Sequence, residues 1–200
     1  MSSVPEPRLS PLEYLARERT AERKSDYFQG RSFAVAGASP NHHRVVRNVL
    51  AQLDAQLKGG PCEIFPSDLR LSCPAGLMTY PDAMVICGPL EYRIGTDDTV
   101  TNPKLIVEVL SKASEGYDRG QKFAFYREIP TLHEYLLAAW HAPLVERFQR
   151  QQGGGWLLTE ARGMDALLRL PVIDCVLPLA EVYRDVVFPA VAGGLLVGDE

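Results

Sequence analysis

Two acids and one amine stand where the sequence pattern asks for apolar side chains. In "KLIVEVLSK" (104–112), strand alternation sends Leu105, Val107 and Val109 to one face and Ile106, Glu108 and Leu110 to the other. Such continuous aliphatic character predicts a central strand covered on both sides. An ionised carboxylate there is costly unless it is paired, protonated or bound to a metal. In "YPDAMVICG" (80–88), Pro81-Asp82 opens a second strand of the same kind, with Asp82 on the face of Met84 and Ile86. In "SEGYDRGQKFAFYREIP" (114–130), Lys122 shares a helical apolar stripe with Phe125, Tyr126 and Ile129.

Two carboxylates and an ammonium, each patterned for burial, neutralise one another best around a cation. Mg²⁺ suits such a set, and Mn²⁺ can substitute. The ion takes hard oxygen ligands from one or two carboxylates and keeps positions for water and substrate. Bound there, it polarises phosphoryl oxygens and lowers the pKa of its water. A lysine beside it positions that water or offsets charge growing on a phosphate. Taken singly, each residue has a plainer reading. Glu108 could pair with a buried base, Asp82 could shape a strand entrance, and Lys122 could lay its stem on the core and reach out to solvent.

The elements that must position these groups follow from local signals. Ser10 and Pro11 start a helix over "SPLEYLARERTAE", and Ser39 and Pro40 start another over 39–57, with Val45, Val49, Leu50, Leu53 and Leu57 at helical spacing. "DYFQGRSFAVAG" predicts two strands around Gln29-Gly30. Short strands are expected over 62–72, 75–81 and 82–88, and again over 131–140, 143–151 and 155–163. Polar connections join them, and a last short helix is expected near 177–186. The order is helix, strands, helix, strands, helix, strands. It predicts an α/β fold with a mixed sheet flanked by helices. A single domain is expected over 11–186, after an irregular lead-in (1–10) and before a loose tail (187–200).

Composition narrows the class without naming a substrate. A net charge of -4 argues against a basic, non-specific nucleic-acid binder, though a local positive groove can sit on an acidic protein. The amino terminus lacks an apolar signal core, and no stretch is long and apolar enough for a membrane span. Cys62, Cys73, Cys87 and Cys175 show no CxxC spacing, so reduced thiols in a cytoplasmic protein are expected.

Taken in order, "YPDAMVICG", "NPKLIVEVLS" and "YDRGQKFAFYR" resemble the Uma-type restriction-endonuclease family of the PD-(D/E)XK nuclease superfamily, over about Leu12 to Tyr183. The resemblance implies a restriction-endonuclease-like fold and metal-dependent hydrolysis of nucleic acid, most simply DNA, with a homodimer as the symmetric way to cut two strands. It assigns Asp82 and Glu108 to the metal, with the carbonyl of Val109. The next motif position, where a lysine belongs, is Leu110. The lysine is then expected from the following helix as Lys122, with Lys112 as a rival. Asp26, His42, Asn48, Asp68 and Arg70 match accessory positions, and Tyr126 is a further accessory candidate on the lysine's stripe. A second outcome is a catalytically inactive nucleic-acid-binding or assembly module on the same fold.

Overall fold

The computed structural model describes residues 8–35 and 37–189, and elements are numbered in chain order. The strand carrying the glutamate, β8 (Leu105–Val109), is buried along its whole length. It lies inside a six-stranded sheet of order β11-β10-β9-β8-β6-β3, formed with β3 (Cys62–Pro66), β6 (Ala83–Cys87), β9 (Glu134–Ala138), β10 (Leu144–Arg150) and β11 (Trp156–Arg162). The β8–β9 pair is parallel, and the other pairs in this sheet are antiparallel. A parallel pair needs a crossover, and here the crossover is the segment bearing Lys122.

The two faces of β8 feed two separate cores, as the alternation predicts. Leu105, Val107 and Val109 pack with Val45, Val49 and Leu53 of α2 (Pro40–Leu57). Ile106 and Leu110 pack with Met84, Phe123, Tyr126 and Tyr135 on the opposite side. Helix α2 begins where Ser39 accepts the His42 amide and Pro40 fills the first turn. Its buried Asn48 donates to the carbonyls of Val182 and Arg184, tying α2 to α5 (Leu179–Val182). Asn48 is therefore a clamp between helices and not a group at the carboxylates.

A second sheet, ordered β2-β1-β5-β4-β7, comprises β1 (Ser25–Phe28), β2 (Arg31–Ala34), β4 (Arg70–Ser72), β5 (Met78–Thr79) and β7 (Thr99–Val100). The β1–β2 turn uses Gln29 and Gly30, both at positive φ, and a Cβ on Gly30 would lie 2.7 Å from that of Arg8. Helix α1 (Pro11–Glu18) starts on a reciprocal cap between Ser10 and Glu13. The described end of the expected lead-in is held, because the Leu9 amide donates to Gly30 and its carbonyl accepts Tyr27. Its first seven residues lie outside the described ones. So does most of the expected tail, whose residues 187–189 begin with Val187 hydrogen-bonded to Asn41.

Several expectations change. The single strand region 62–72 divides at a turn into β3 and β4, which belong to different sheets. A hairpin of β12 (Leu167–Leu170) and β13 (Cys175–Pro178) adds to the strands expected from the pattern. Cys62 and Cys87 form a disulfide, which corrects the expectation of four reduced thiols. They are direct partners across the antiparallel β3–β6 pair, a relation that sequence spacing hides. Cys73 and Cys175 are buried free thiols. Among the described residues no helix is long and apolar enough to cross a membrane.

One buried acid has no role in the carboxylate cluster. Glu134 begins β9, and neither of its carboxylate oxygens has a hydrogen-bond partner among the described residues. Its nearest cation is the Arg147 guanidinium at 3.6 Å. Burial pushes its carboxyl up to about 7, against the pull of Arg147. A raised pKa means that the folded chain holds this proton more tightly than the unfolded one. The stability it brings is complete below about pH 4.5 and is lost as pH rises through about 7. Urea unfolding at pH 5 and pH 8 should therefore show Glu134→Gln gaining on wild type by about 2 kcal/mol across that interval. A difference that stays constant with pH would refute this.

Candidate active site

At the carboxyl end of β8 the side chains of four separate elements converge. Glu108 is buried, and its Oε1 pairs with Lys122 Nζ at 2.8 Å and accepts from the Tyr126 hydroxyl at 2.7 Å. Asp82 sits just before β6. Its Oδ2 accepts from the Val109 amide at 2.7 Å and lies 3.1 Å from His42 Nε2. Asp82 is thus bound directly to the residue after Glu108. Val109 reaches it through its amide rather than its carbonyl.

Both carboxylates are half spent. In each, one oxygen carries two protein partners while the other carries none among the described residues: Oδ1 of Asp82 and Oε2 of Glu108. Neither open oxygen is among the fully buried orphaned atoms. Burial pushes the Glu108 carboxyl up to about 8, and nearby Asp82 and Asp118 push the same way while Lys122 opposes them. Burial alone would lower Lys122, but Glu108, Asp118 and Asp26 outweigh it and hold the ammonium charged. Lys122 is a fixed cation here and not a base.

The lysine reaches this point by an unusual local winding. The expected helix over 114–130 is three short pieces: α3 (Glu115–Tyr117), a π-helical turn (Asp118–Lys122) and α4 (Phe123–Tyr126). Ser114 does not cap it, because its hydroxyl is engaged with Ser111. Such wide turns are frequent at functional sites. This one buries both of its ends, Asp118 and Lys122, which form an ion pair at 3.6 Å. Asp118 is not among the residues that the sequence pattern singles out. Its spacing of four residues from Lys122 on one helical face is the signal that points to it.

The remaining candidates divide. Asp26 on β1 has a buried, unpartnered Oδ1, and its carboxyl is raised by burial while Lys122 counters. It lies within electrostatic reach of the cluster. His42 touches Asp82, and its Nδ1 is buried without a partner. Tyr126 touches Glu108 directly. Lys112 is exposed and takes no part. Asp68 is likewise turned outward, its side chain 80% exposed and paired with Lys24. Arg70 is buried against Tyr80, Thr99 and Asp98, a knot that stabilises the second sheet.

The donor set fits a hard divalent ion of the Mg²⁺ type. Among the described residues no three His, Cys, Asp or Glu side chains gather closely enough to make a closed metal cage. Two carboxylates, each with an oxygen that has no protein partner, match an ion that takes one or two carboxylates and completes its shell with water and substrate phosphate. In metal-free protein, Lys122→Met should cost about 3 kcal/mol in urea unfolding at pH 8, because it leaves Glu108 buried without a counter-charge. Adding Glu108→Gln should recover most of that loss. A double variant no better than the single one would argue against the pair as the cause.

Comparison with known proteins agrees with this architecture. The chain is 43% identical over 159 residues to the uncharacterized protein sll1609 of Synechocystis sp., covering 79% of this chain and 90% of that one. It is 35% identical over 187 residues to slr1290 of the same organism, also uncharacterized, covering 93% and 97%. In three dimensions it superposes, with a TM-score of 0.70 and 16% identity, on a crystal structure described as a "putative nuclease belonging to DUF820" from Anabaena variabilis, covering 86% of this chain and 95% of that one. That likeness establishes the restriction-endonuclease-like fold. The Uma2 family, described as "Putative restriction endonuclease", matches residues 11–180, and the chain belongs to that family.

Proposed function

We propose that this protein is a Mg²⁺-dependent nuclease that hydrolyses phosphodiester bonds of DNA, with Mn²⁺ able to substitute. One observation carries the reading: two carboxylates side by side, each with one oxygen saturated by protein and one left open, next to a permanently charged lysine. Asp82 and Glu108 would hold the ion, with the Val109 carbonyl as a third protein donor. Bound there, a divalent cation polarises the phosphoryl group and acidifies water.

The chain's own residues do the rest. The Val109 amide and His42 fix Asp82, so its free oxygen has one direction to offer. Tyr126 does the same for Glu108. Lys122 supplies positive charge toward the phosphate and can donate to the attacking water, but it cannot take that water's proton. The family likeness implies nucleic acid as the substrate, and two such sites related by a two-fold axis would serve both strands of a duplex.

A second reading has its own support. Lys122 already neutralises Glu108, so the cluster satisfies itself as a salt bridge and could persist in a module that binds nucleic acid without cutting it. Incubation of plasmid DNA with purified protein separates the two. The nuclease reading expects nicking or linearisation with Mg²⁺ or Mn²⁺ and none with EDTA. Asp82→Asn and Glu108→Gln should each lower the rate by at least about a hundredfold. DNA retained on the protein but left intact with every divalent ion would instead favour the non-cutting module.

A further inference from the structure

The ammonium of Lys122 lies between two buried acids and closer to one of them. It forms an ion pair with Glu108 Oε1 at 2.8 Å, while Asp118 Oδ1 stands at 3.6 Å, a longer ion pair. Among the described residues Lys122 is also the one cation within salt-bridge distance of the Asp118 carboxylate, which accepts no other hydrogen bond there. The Asp118 backbone is anchored independently, since its amide donates to Ser114 and its carbonyl accepts the Tyr135 hydroxyl at 3.1 Å. A buried carboxylate, rigidly placed and only loosely paired, is an expensive arrangement unless its partner needs it in some other state.

The metal reading of the site supplies that state, and the role inferred for Asp118 rests on it. A divalent ion engaging Glu108 would repel the ammonium and take over the charge it now neutralises. Lys122 would then be a buried cation without an adequate counter-ion. We propose that Asp118 is a positioning residue that receives Lys122 when a divalent cation occupies Glu108, so that the lysine keeps its charge and its place beside the phosphate. The shift needs only a small swing of the lysine terminus, from 2.8 Å contact with one acid to the same contact with an acid now 3.6 Å away. Both acids face the same side-chain tip, so the backbone of the π-helical turn need not move.

The test is a double-mutant cycle read by Mn²⁺ binding, with free Mn²⁺ followed by electron paramagnetic resonance. Lys122→Met should tighten binding, since a competing cation is gone. Asp118→Asn should weaken it roughly tenfold in the wild-type background. In the Lys122→Met background the same change should cost less than about threefold, leaving only the long-range loss of one negative charge. Equal losses in the two backgrounds, or no loss, would overturn the proposal. Wild-type protein that takes up no Mn²⁺ would remove the metal reading itself and this inference with it.

A measurement on unmutated protein guards against a variant that does not fold. In nuclear magnetic resonance of ¹⁵N- and ¹³C-labelled protein, the through-hydrogen-bond correlation of Lys122 Nζ should connect to the Glu108 side-chain carboxyl carbon without Mg²⁺. With Mg²⁺ bound it should connect to that of Asp118. A correlation that stays on Glu108 with Mg²⁺ bound would overturn the handover.

Discussion

The structure around β8 is organised by the cost of placing a carboxylate in a strand covered on both faces. Glu108 has hydrocarbon on either side along the strand, and its own face belongs to the core of Ile106, Leu110 and Tyr135. Left ionised and alone it would be worth several kcal/mol against folding. A hydroxyl and an ammonium meet it instead, both carried by the crossover between β8 and β9. The spacing of four residues between Lys122 and Tyr126 puts both groups on one side of that crossover. Its middle turn is widened, and Asp118, Lys122 and Tyr126 all come to the same side.

The same constraint orders the electrostatics. Three acids, Asp26, Glu108 and Asp118, act on one permanent cation, Lys122, and a fourth, Asp82, acts on Glu108. Burial raises Asp26 and Glu108, and the lysine is held protonated by the acids that it stabilises. Acids outnumber the one permanent cation. The site thus favours an additional positive charge over a further anion, which is the electrostatic side of its fit to a divalent ion.

Much of this is legible in the sequence. The two-faced strand, the helix starts at Ser10 and Ser39 and the turn at Gln29-Gly30 all follow from periodicity and cap chemistry, because they are local. The neighbourhood of Glu108, Lys122 and Tyr126 is legible through the stripe at helical spacing. What escapes depends on pairing across the chain. Cys62 meeting Cys87 is a matter of register. Asp98, which looks like a solvated loop charge, pairs with Arg19 and Arg70 from distant segments. Asp68 and Arg70 are two residues apart in sequence. Yet one is turned out to solvent and the other locked inside the second sheet, since the turn before β4 separates them. Leu110 in place of the motif lysine is visible in the letters, but the approach of Lys122 to Glu108 from the crossover is visible only in three dimensions.

That approach has a wider consequence, which comes from the single parallel pairing in the large sheet. Two parallel neighbours oblige the chain to travel back over one face of the sheet, and here it travels over the face that bears Glu108. A long side chain on the sheet-facing side of that return path, as Lys122 is, reaches the strand's acidic end. The amine that meets the acid therefore does not have to belong to the strand itself. Topology, rather than a fixed interval of letters, is what brings the two together.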